Sequence, residues 1–200
     1  MDKTSIINAI QTHQPVMMTE TAESAAVVAM LLYDPQDNLF LIVTKRSDFV
    51  ATYAGDYCFP GGAKEQDDLD YKVTAIREVY EELGIEQSEY QLIGQLDDFV
   101  DRFNNLVRPF VAMMSKENFE AQYHLSQEEV AKIIYLPIQE IAKIAADENL
   151  ERLTRRHPTY RYEEAGVMIW GLTASMMVHL GNIIFDLNKP VGKKVKLRQE

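Results

Sequence analysis

A Pro-Gly-Gly turn, an acidic loop and a glutamate-rich segment follow one another in this chain and constrain its fold more than any other stretch. Residues 59–85 read FPGGAKEQDDLDYKVTAIREVYEELGI. At about 100° per residue, Glu78, Glu81 and Glu82 lie on one face of a helix that ends at Gly84. The other face is predicted to pack against the core through Val73, Ile76, Tyr80 and Leu83.

The three glutamates predict a metal site. Each close pair of like charges costs roughly 0.2–0.5 kcal/mol on an exposed helix, so a positive partner is expected. Carboxylate oxygens suit a hard divalent cation such as Mg²⁺ or Mn²⁺, which commonly lies between protein carboxylates and substrate phosphates. Arg77 is one turn before Glu81, where its planar guanidinium can orient a carboxylate. Gly61 and Gly62 allow the backbone to approach a ligand closely. The alternative is a solvated acidic helix after an ordinary turn.

This spacing closely resembles the Nudix box, G-x5-E-x7-R-E-U-x-E-E-x-G-U, in which U is an aliphatic residue. The match begins at Gly62 and continues from Arg77 to Ile85. Two features depart from it: Asp68 replaces the first glutamate, and eight residues instead of seven separate it from Arg77. Both departures are expected of the Nudix branch that resembles coenzyme A pyrophosphatases.

Two further segments are similar to the same branch. LIVTKRS, followed by Gly55 and FPGG, resembles its L-L-T-x-R-S, H-x-G and S-F-P-G-G signature. YRYEEAGVMIWGLTA resembles its aromatic turn followed by I-W-G-x-T-A. Three positions depart from the signature, where Arg, His and Ser are usual: Ala51, Tyr53 and Cys58.

The order of apolar segments predicts an α/β or α+β fold, with strands alternating with helices. Five strands are expected, at 24–33, 39–47, 90–96, 107–114 and 130–136, and residues 139–146 have helical periodicity. A short N-terminal helix at about 3–12 and a C-terminal helix at about 167–187 complete a single domain spanning 1–200. The resemblance implies a Nudix-type α/β/α sandwich with a mixed sheet and the catalytic helix after the Gly-Gly loop.

The resemblance also implies an enzyme, a metal-dependent hydrolase of nucleoside diphosphate derivatives. Coenzyme A or its thioesters are the expected substrates, giving 3′,5′-adenosine bisphosphate and 4′-phosphopantetheine with Mg²⁺ or Mn²⁺. One alternative is a Nudix hydrolase of ADP-ribose or a dinucleotide. Another is a Nudix-fold module that binds a nucleotide without catalysis.

The metal ligands that the resemblance implies are Glu78, Glu81 and Glu82, with Glu81 as a third ligand or as the general base. Arg77 would orient these carboxylates. Many Nudix enzymes take a further acidic residue from a later loop, and Glu129 is expected in that role, with Glu128 nearly equivalent.

Substrate contacts are expected from the glycine pair and from two cations. Gly61 and Gly62 belong to the turn before the catalytic helix, and Lys45 and Arg46 end a strand that leads towards it. Both cations can meet phosphates there, or can simply be charges of a sheet edge. More weakly, Glu65 and Asp68 are expected as ligands through water, and Arg102 and Arg108 as phosphate contacts.

The composition and charge of the chain argue against some classes of binding partner. The formal net charge of −11 argues against nucleic acid, which requires a basic surface. The apolar run 167–185 approaches the length of a membrane span, but polar residues interrupt it, so no membrane partner is expected. Cys58 is the single cysteine and the N-terminus has no secretory signal pattern, so a reducing, cytoplasmic location is expected. A homodimer is left open.

Overall fold

A computed structural model gives the fold of most of the chain. It describes residues 2–21, 23–50, 53–146, 160–164 and 166–191. The departure noted at Ala51 lies outside these residues. None of the helices in the described part of the chain has both the length and the apolar character that crossing a bilayer requires.

Among the described residues, eight strands form one mixed sheet. They are β1 Ser24–Tyr33, β2 Leu39–Arg46, β3 Tyr57–Cys58, β4 Gly61–Ala63, β5 Gln91–Gln95, β6 Phe99–Val100, β7 Leu106–Ser115 and β8 Val130–Pro137. The central path runs β3-β2-β1-β7-β5, with β8 beside β2, β4 beside β1 and β6 beside β7. β1 is antiparallel to β2, as the predicted hairpin requires, and parallel to β7. The five predicted strands are all present in this sheet.

Four α-helices surround the sheet in the described part of the chain: α1 Lys3–Thr12, α2 Tyr71–Leu83, α3 Lys116–Gln122 and α4 Gly171–Phe185. Two 3-10 helices cover Gln87–Glu89 and Ile138–Lys143. A smaller three-stranded sheet contains β9 Ala145–Ala146, β10 Tyr160–Glu164 and β11 Val167–Trp170. The N-terminal helix has the bounds expected from the sequence.

The C-terminal helix begins later than expected. Residues 167–170 form β11, in which Ile169 pairs with Tyr162 of β10, and α4 starts only at Gly171. Gly171 has a φ of +64°, a conformation that glycine adopts without strain and that separates the strand from the helix. The segment 139–146 also differs from its predicted helix, since it is divided between a 3-10 helix and β9.

Helices cover both faces of the main sheet. Ala29 and Leu31 of β1 join a core with α1 and α4, whereas Val28, Met30 and Leu32 join a core with α2 and α3. Successive strand residues point to opposite faces, so a strand that is covered on both sides is apolar throughout. This explains the continuous run SAAVVAMLLY and gives the predicted α/β/α layers.

The orientation of α2 differs from the sequence prediction. Its first turn is capped by Asp70, whose Oδ1 accepts the Val73 N–H at 2.9 Å, and it ends at Gly84 as predicted. Its buried residues, however, are Tyr71, Thr74, Ala75, Glu78, Val79, Glu82 and Leu83. Tyr80, predicted to pack, is 52% exposed. Two of the three glutamates therefore face the sheet and not the solvent.

Candidate metal and active site

Three carboxylates converge where α2 crosses the sheet. Glu78 and Glu82 come from α2 and Glu129 from the loop before β8, and one oxygen of each lies within 4.8 Å of the others. The backbone fixes this loop, because the Ser126 N–H donates to the Glu82 carbonyl at 3.1 Å and the Ser47 N–H donates to the Glu129 carbonyl at 2.8 Å. The ends of α2 and β2 thus position Glu129.

The glycine pair lies directly beneath the carboxylates. Gly61, with a φ of +150°, pairs with Val27 of β1, and a Cβ there would approach the Ala26 carbonyl oxygen to 2.3 Å. A Cβ at Gly62 would lie 2.4 Å from Oε1 and 2.6 Å from Oε2 of Glu78. A side chain at either position would collide with its neighbours, so the close approach of α2 to β4 depends on both glycines.

The electrostatics of this cluster call for a cation. The pKa of Glu82 is raised to about 8, mainly by burial and then by the neighbouring charges of Glu78 and Glu129, while Arg46 acts in the opposite direction. Glu82 is only 2% exposed, and its Oε2 has no hydrogen-bond partner within the described parts of the chain. Burying a charged oxygen without a partner is costly. A hard divalent ion, which oxygen ligands suit, would supply the missing charge, so the residues present fit such an ion.

Arg77 holds the outer side of the cluster. Its Nη1 donates to Glu78 Oε1 and to Glu81 Oε2, both at 2.8 Å. Its Nη2 donates to the Ala63 carbonyl at 2.8 Å and to Asp68 Oδ2 at 2.9 Å, and its Nε donates to Asp68 Oδ1 at 3.3 Å. The hydrogen bonds from Arg77 lower the pKa of Asp68 to about 2. Asp68 therefore binds the guanidinium that orients Glu78.

Two further acidic residues that the sequence suggested for the site, Glu81 and Glu65, lie outside the cluster. Glu81 is paired with Arg77, and its side chain is 47% exposed. Glu65 lies 3.8 Å from Arg77 Nη1 with a largely exposed side chain. Among the described residues, the group that can share one ion therefore contains Glu129 in place of the expected Glu81.

The four basic residues that the sequence suggested as phosphate contacts do not lie together in the structure. Arg46 lies close enough to the cluster to oppose the raised pKa of Glu82, whereas the aliphatic chain of Lys45 lies against Gly55. Neighbouring strand residues point to opposite faces, which separates these two side chains.

The two later arginines lie outside the carboxylate cluster. Arg108 forms a two-pronged ion pair with Asp98, at 2.9 and 2.8 Å. The guanidinium of Arg102 stacks on the rings of Tyr53 and Phe103.

Comparison with known proteins identifies the family. The family model described as NUDIX domain matches residues 23–157. The chain is 31% identical over 168 residues to an uncharacterized Nudix hydrolase, NudL, of Photorhabdus laumondii, covering 83% of this chain and 87% of that protein. It is also 29% identical over 171 residues to Nudix hydrolase 15, mitochondrial, of Arabidopsis thaliana, covering 81% of this chain and 59% of that protein.

Solved structures show the same fold. A C. elegans Ap4A hydrolase in a binary complex has a TM-score of 0.50 at 16% identity, covering 66% of this chain and 93% of that chain. A MutT/nudix family protein from Enterococcus faecalis has a TM-score of 0.51 at 13% identity, covering 88% of this chain and 66% of that chain. The fold class predicted from the sequence is confirmed.

The chain therefore belongs to the Nudix family. It is a hydrolase that acts on nucleoside diphosphate derivatives, a class of small-molecule nucleotide substrates, and hydrolases of this family generally use divalent metal ions.

Proposed function

We propose that this Nudix hydrolase cleaves the diphosphate of coenzyme A or its thioesters, with Mg²⁺ or Mn²⁺ held by Glu78, Glu82 and Glu129. The observation that carries the metal assignment is the convergence of these three carboxylates, of which the buried Glu82 has an Oε2 with no hydrogen-bond partner in the described structure. When bound, the ion supplies positive charge to the diphosphate oxygens and acidity to the attacking water.

In this proposal Arg77, Glu81 and Asp68 orient the metal ligands. Arg77 fixes the rotamer of Glu78 through its Nη1, and Glu81 and Asp68 hold the other donors of the same guanidinium. Glu81 is then a positioning residue, because its carboxylate pairs with Arg77 and lies outside the group of three carboxylates that can share one ion.

The proposed reaction is hydrolysis of one phosphoanhydride bond. The oxygen of water forms a new bond to one phosphorus, and the bond from that phosphorus to the bridging oxygen breaks. The bridging oxygen leaves with the other phosphate, and the protons released from water pass to solvent. Coenzyme A yields 3′,5′-adenosine bisphosphate and 4′-phosphopantetheine.

The choice of coenzyme A rests on the signature segments, which pack beside the carboxylates. Thr44 Oγ1 donates to the Cys58 carbonyl at 3.1 Å, and the Arg46 N–H donates to the Asp56 carbonyl at 2.9 Å. The next residue, Ser47, donates its N–H to the Glu129 carbonyl. These contacts support a role for the signature in the same site as the metal ligands, with Arg46 as the phosphate contact.

A second candidate, hydrolysis of ADP-ribose or a dinucleotide, is favoured by the departure at Tyr53. This residue replaces a histidine of the signature, has a φ of +57°, and stacks against Arg102. Bulky residues rarely adopt this backbone conformation, so the loop departs from the signature at a position whose backbone conformation is unusual. The single domain and the cytoplasmic location expected from the sequence remain predictions, and a homodimer remains open.

A product-resolved substrate screen tests this assignment. The purified protein is incubated with coenzyme A, acetyl-coenzyme A, ADP-ribose, dinucleotides and nucleoside triphosphates, each with Mg²⁺ or Mn²⁺, and products are separated chromatographically. We expect the highest kcat/KM for coenzyme A or its thioester, with adenosine bisphosphate as one product. A preference for ADP-ribose or a dinucleotide contradicts the first candidate. A Glu82→Gln preparation serves as the control for contaminating hydrolases.

A further inference from the structure

A second group of metal-ligand side chains lies away from the carboxylate cluster. His13 follows α1, Asp97 follows β5, and His179 belongs to α4. These helices pack on the face of the main sheet opposite to α2. One ligand atom from each of the three residues lies within 4.8 Å of the other two.

The distances within this group fit a tetrahedral ion. Nε2 of His13 is 3.0 Å and Nε2 of His179 is 3.5 Å from the same Oδ1 of Asp97. Zinc bonds of about 2.0–2.2 Å to nitrogen and oxygen place neighbouring tetrahedral ligands about 3.4 Å apart. The side chains are 19%, 22% and 11% exposed for His13, Asp97 and His179, which leaves access for a fourth ligand from solvent.

Backbone hydrogen bonds hold two of the side chains in this arrangement. The Val16 N–H donates to Asp97 Oδ1 at 2.9 Å, and the Asp97 N–H donates to His179 Nε2 at 3.2 Å. The single lone pair of His179 Nε2 accepts this N–H, so an ion bound at Nε2 would take the place of the longer of these two hydrogen bonds.

We propose that His13, Asp97 and His179 form a second metal site, separate from the catalytic one, for zinc or a similar transition-metal ion. Two imidazoles and one carboxylate suit such an ion better than Mg²⁺, which prefers oxygen ligands. The ion joins the end of α1, the loop after β5 and the middle of α4. Its role is to fasten the terminal helices to the sheet, and it takes no part in diphosphate hydrolysis.

Metal titration and anomalous diffraction test this site on the full chain. The Glu82→Gln background removes the catalytic cluster as a competing ligand set. In it, we expect zinc to bind, to raise the melting temperature, and to give an anomalous peak between the three side chains. Cobalt should show the strong visible absorption of a four-coordinate ion. His179→Ala should weaken zinc binding by more than the roughly 10–100-fold that loss of an outer-sphere partner costs.

Two further variants test whether these three side chains bind a metal ion or only form hydrogen bonds with one another. His13→Gln keeps an N–H that can reach Asp97 but loses the imidazole, so we expect it to fold and to lose zinc affinity. His124→Ala removes an exposed histidine outside the group and should bind zinc as the background does. Zinc affinity that His13→Gln leaves unchanged, or an anomalous peak that is absent from the three side chains, overturns the proposal.

Discussion

Glu82 has the least favourable environment of the carboxylates in the cluster. Its side chain is buried, its Oε2 lacks a hydrogen-bond partner among the described residues, and its neighbours Glu78 and Glu129 are also acidic. Such a position is destabilising for the folded protein unless a cation or a proton compensates it. The unusual pKa of about 8 and the proposed metal binding therefore have one physical cause.

Replacing Glu82 should affect catalysis and stability in different ways. We expect Glu82→Gln to lower kcat by at least about 10²-fold with saturating Mg²⁺ or Mn²⁺, the scale of losing a positioned catalytic group. Without metal and above about pH 8, where Glu82 is ionised, the neutral amide removes a buried charge, so the melting temperature should stay the same or rise. Steady-state kinetics and thermal unfolding in a chelator measure the two effects, and near-normal turnover of the folded variant would exclude Glu82 from the site.

Gly62 tests the position of Glu78. A methyl group in Gly62→Ala would fall 2.4 Å from Glu78 Oε1 and displace that carboxylate. Because misplacing a reacting group by about 1 Å can cost 10²-fold, we expect kcat to fall by at least about tenfold. Ala63→Ser, at the exposed neighbouring position, is the matched control and should keep its activity. Equal kinetics for both variants would show that Glu78 does not need its observed position.

Asp68 gives a prediction for acid stability. Its pKa is about 2 in the folded protein, below its ordinary value of 3.8, so its ionised form stabilises the folded state above about pH 4. That stabilisation is lost as the pH falls from about 4 to about 2. We expect Asp68→Asn to reduce the free energy of unfolding by on the order of 1–2 kcal/mol at pH 7.

Denaturant titrations across pH measure this effect. The difference between the wild-type protein and Asp68→Asn should shrink as the pH falls from about 4 to about 2, because Asp68 is protonated over this range and then carries no more charge than asparagine. Asp67→Asn, at the exposed adjacent position, should show no such pH dependence. A difference that stays constant from pH 7 to pH 3 would remove the Arg77 pairing as its source.

At the level of elements, the sequence predicts where α2 lies but not which way it faces. The capping residue Asp70 and the left-handed Gly84 mark its ends by local chemistry. The face of α2 that turns towards the sheet depends on which side chains can be buried there, and two of the buried side chains are the glutamates Glu78 and Glu82. A rule that places apolar residues inside and charged residues outside therefore fails at the functional helix.

The packing of α1 rests on a small contact that can be changed without touching the catalytic site. A Cβ at Gly94 of β5 would lie 2.5 Å from Cγ2 of Ile10 and 3.1 Å from its carbonyl oxygen. We expect Gly94→Ala to push α1 away from the sheet and to lower the free energy of unfolding by about 1–3 kcal/mol. The kcat should change little, because α1 lies on the face opposite to α2.

Chemical denaturation and kinetics on the same sample check this prediction. The double variant with Ile10→Leu removes the Cγ2 branch from the contact and should recover part of the lost stability. Unchanged stability in Gly94→Ala would mean that α1 contributes little to folding. A large loss of kcat with normal stability would contradict the separation of the two faces.

At the level of the whole molecule, local patterns and long-range contacts differ in how well they can be predicted. The five long strands and the β1–β2 hairpin follow from apolar runs and a turn signal. The small sheet was not predicted, since its strands are short and β9 lies far in sequence from β10. Glu129 could be proposed only from family resemblance, because no local pattern links it to α2.

The same distinction applies to the second group of ligands. His13, Asp97 and His179 have no metal-ligand spacing in the sequence, and three separate elements bring them together. The main sheet lies between this group and the carboxylate cluster. Under the two proposals, the chain holds a catalytic ion on one face of the main sheet and a structural ion on the other.

Manganese-edge anomalous diffraction from crystals grown with Mn²⁺ tests the catalytic assignment most directly. We predict a peak bonded to carboxylate oxygens of Glu78, Glu82 and Glu129, with Glu81 still paired to Arg77. A peak held by Glu81 in place of Glu129, or no peak between these side chains, would contradict it.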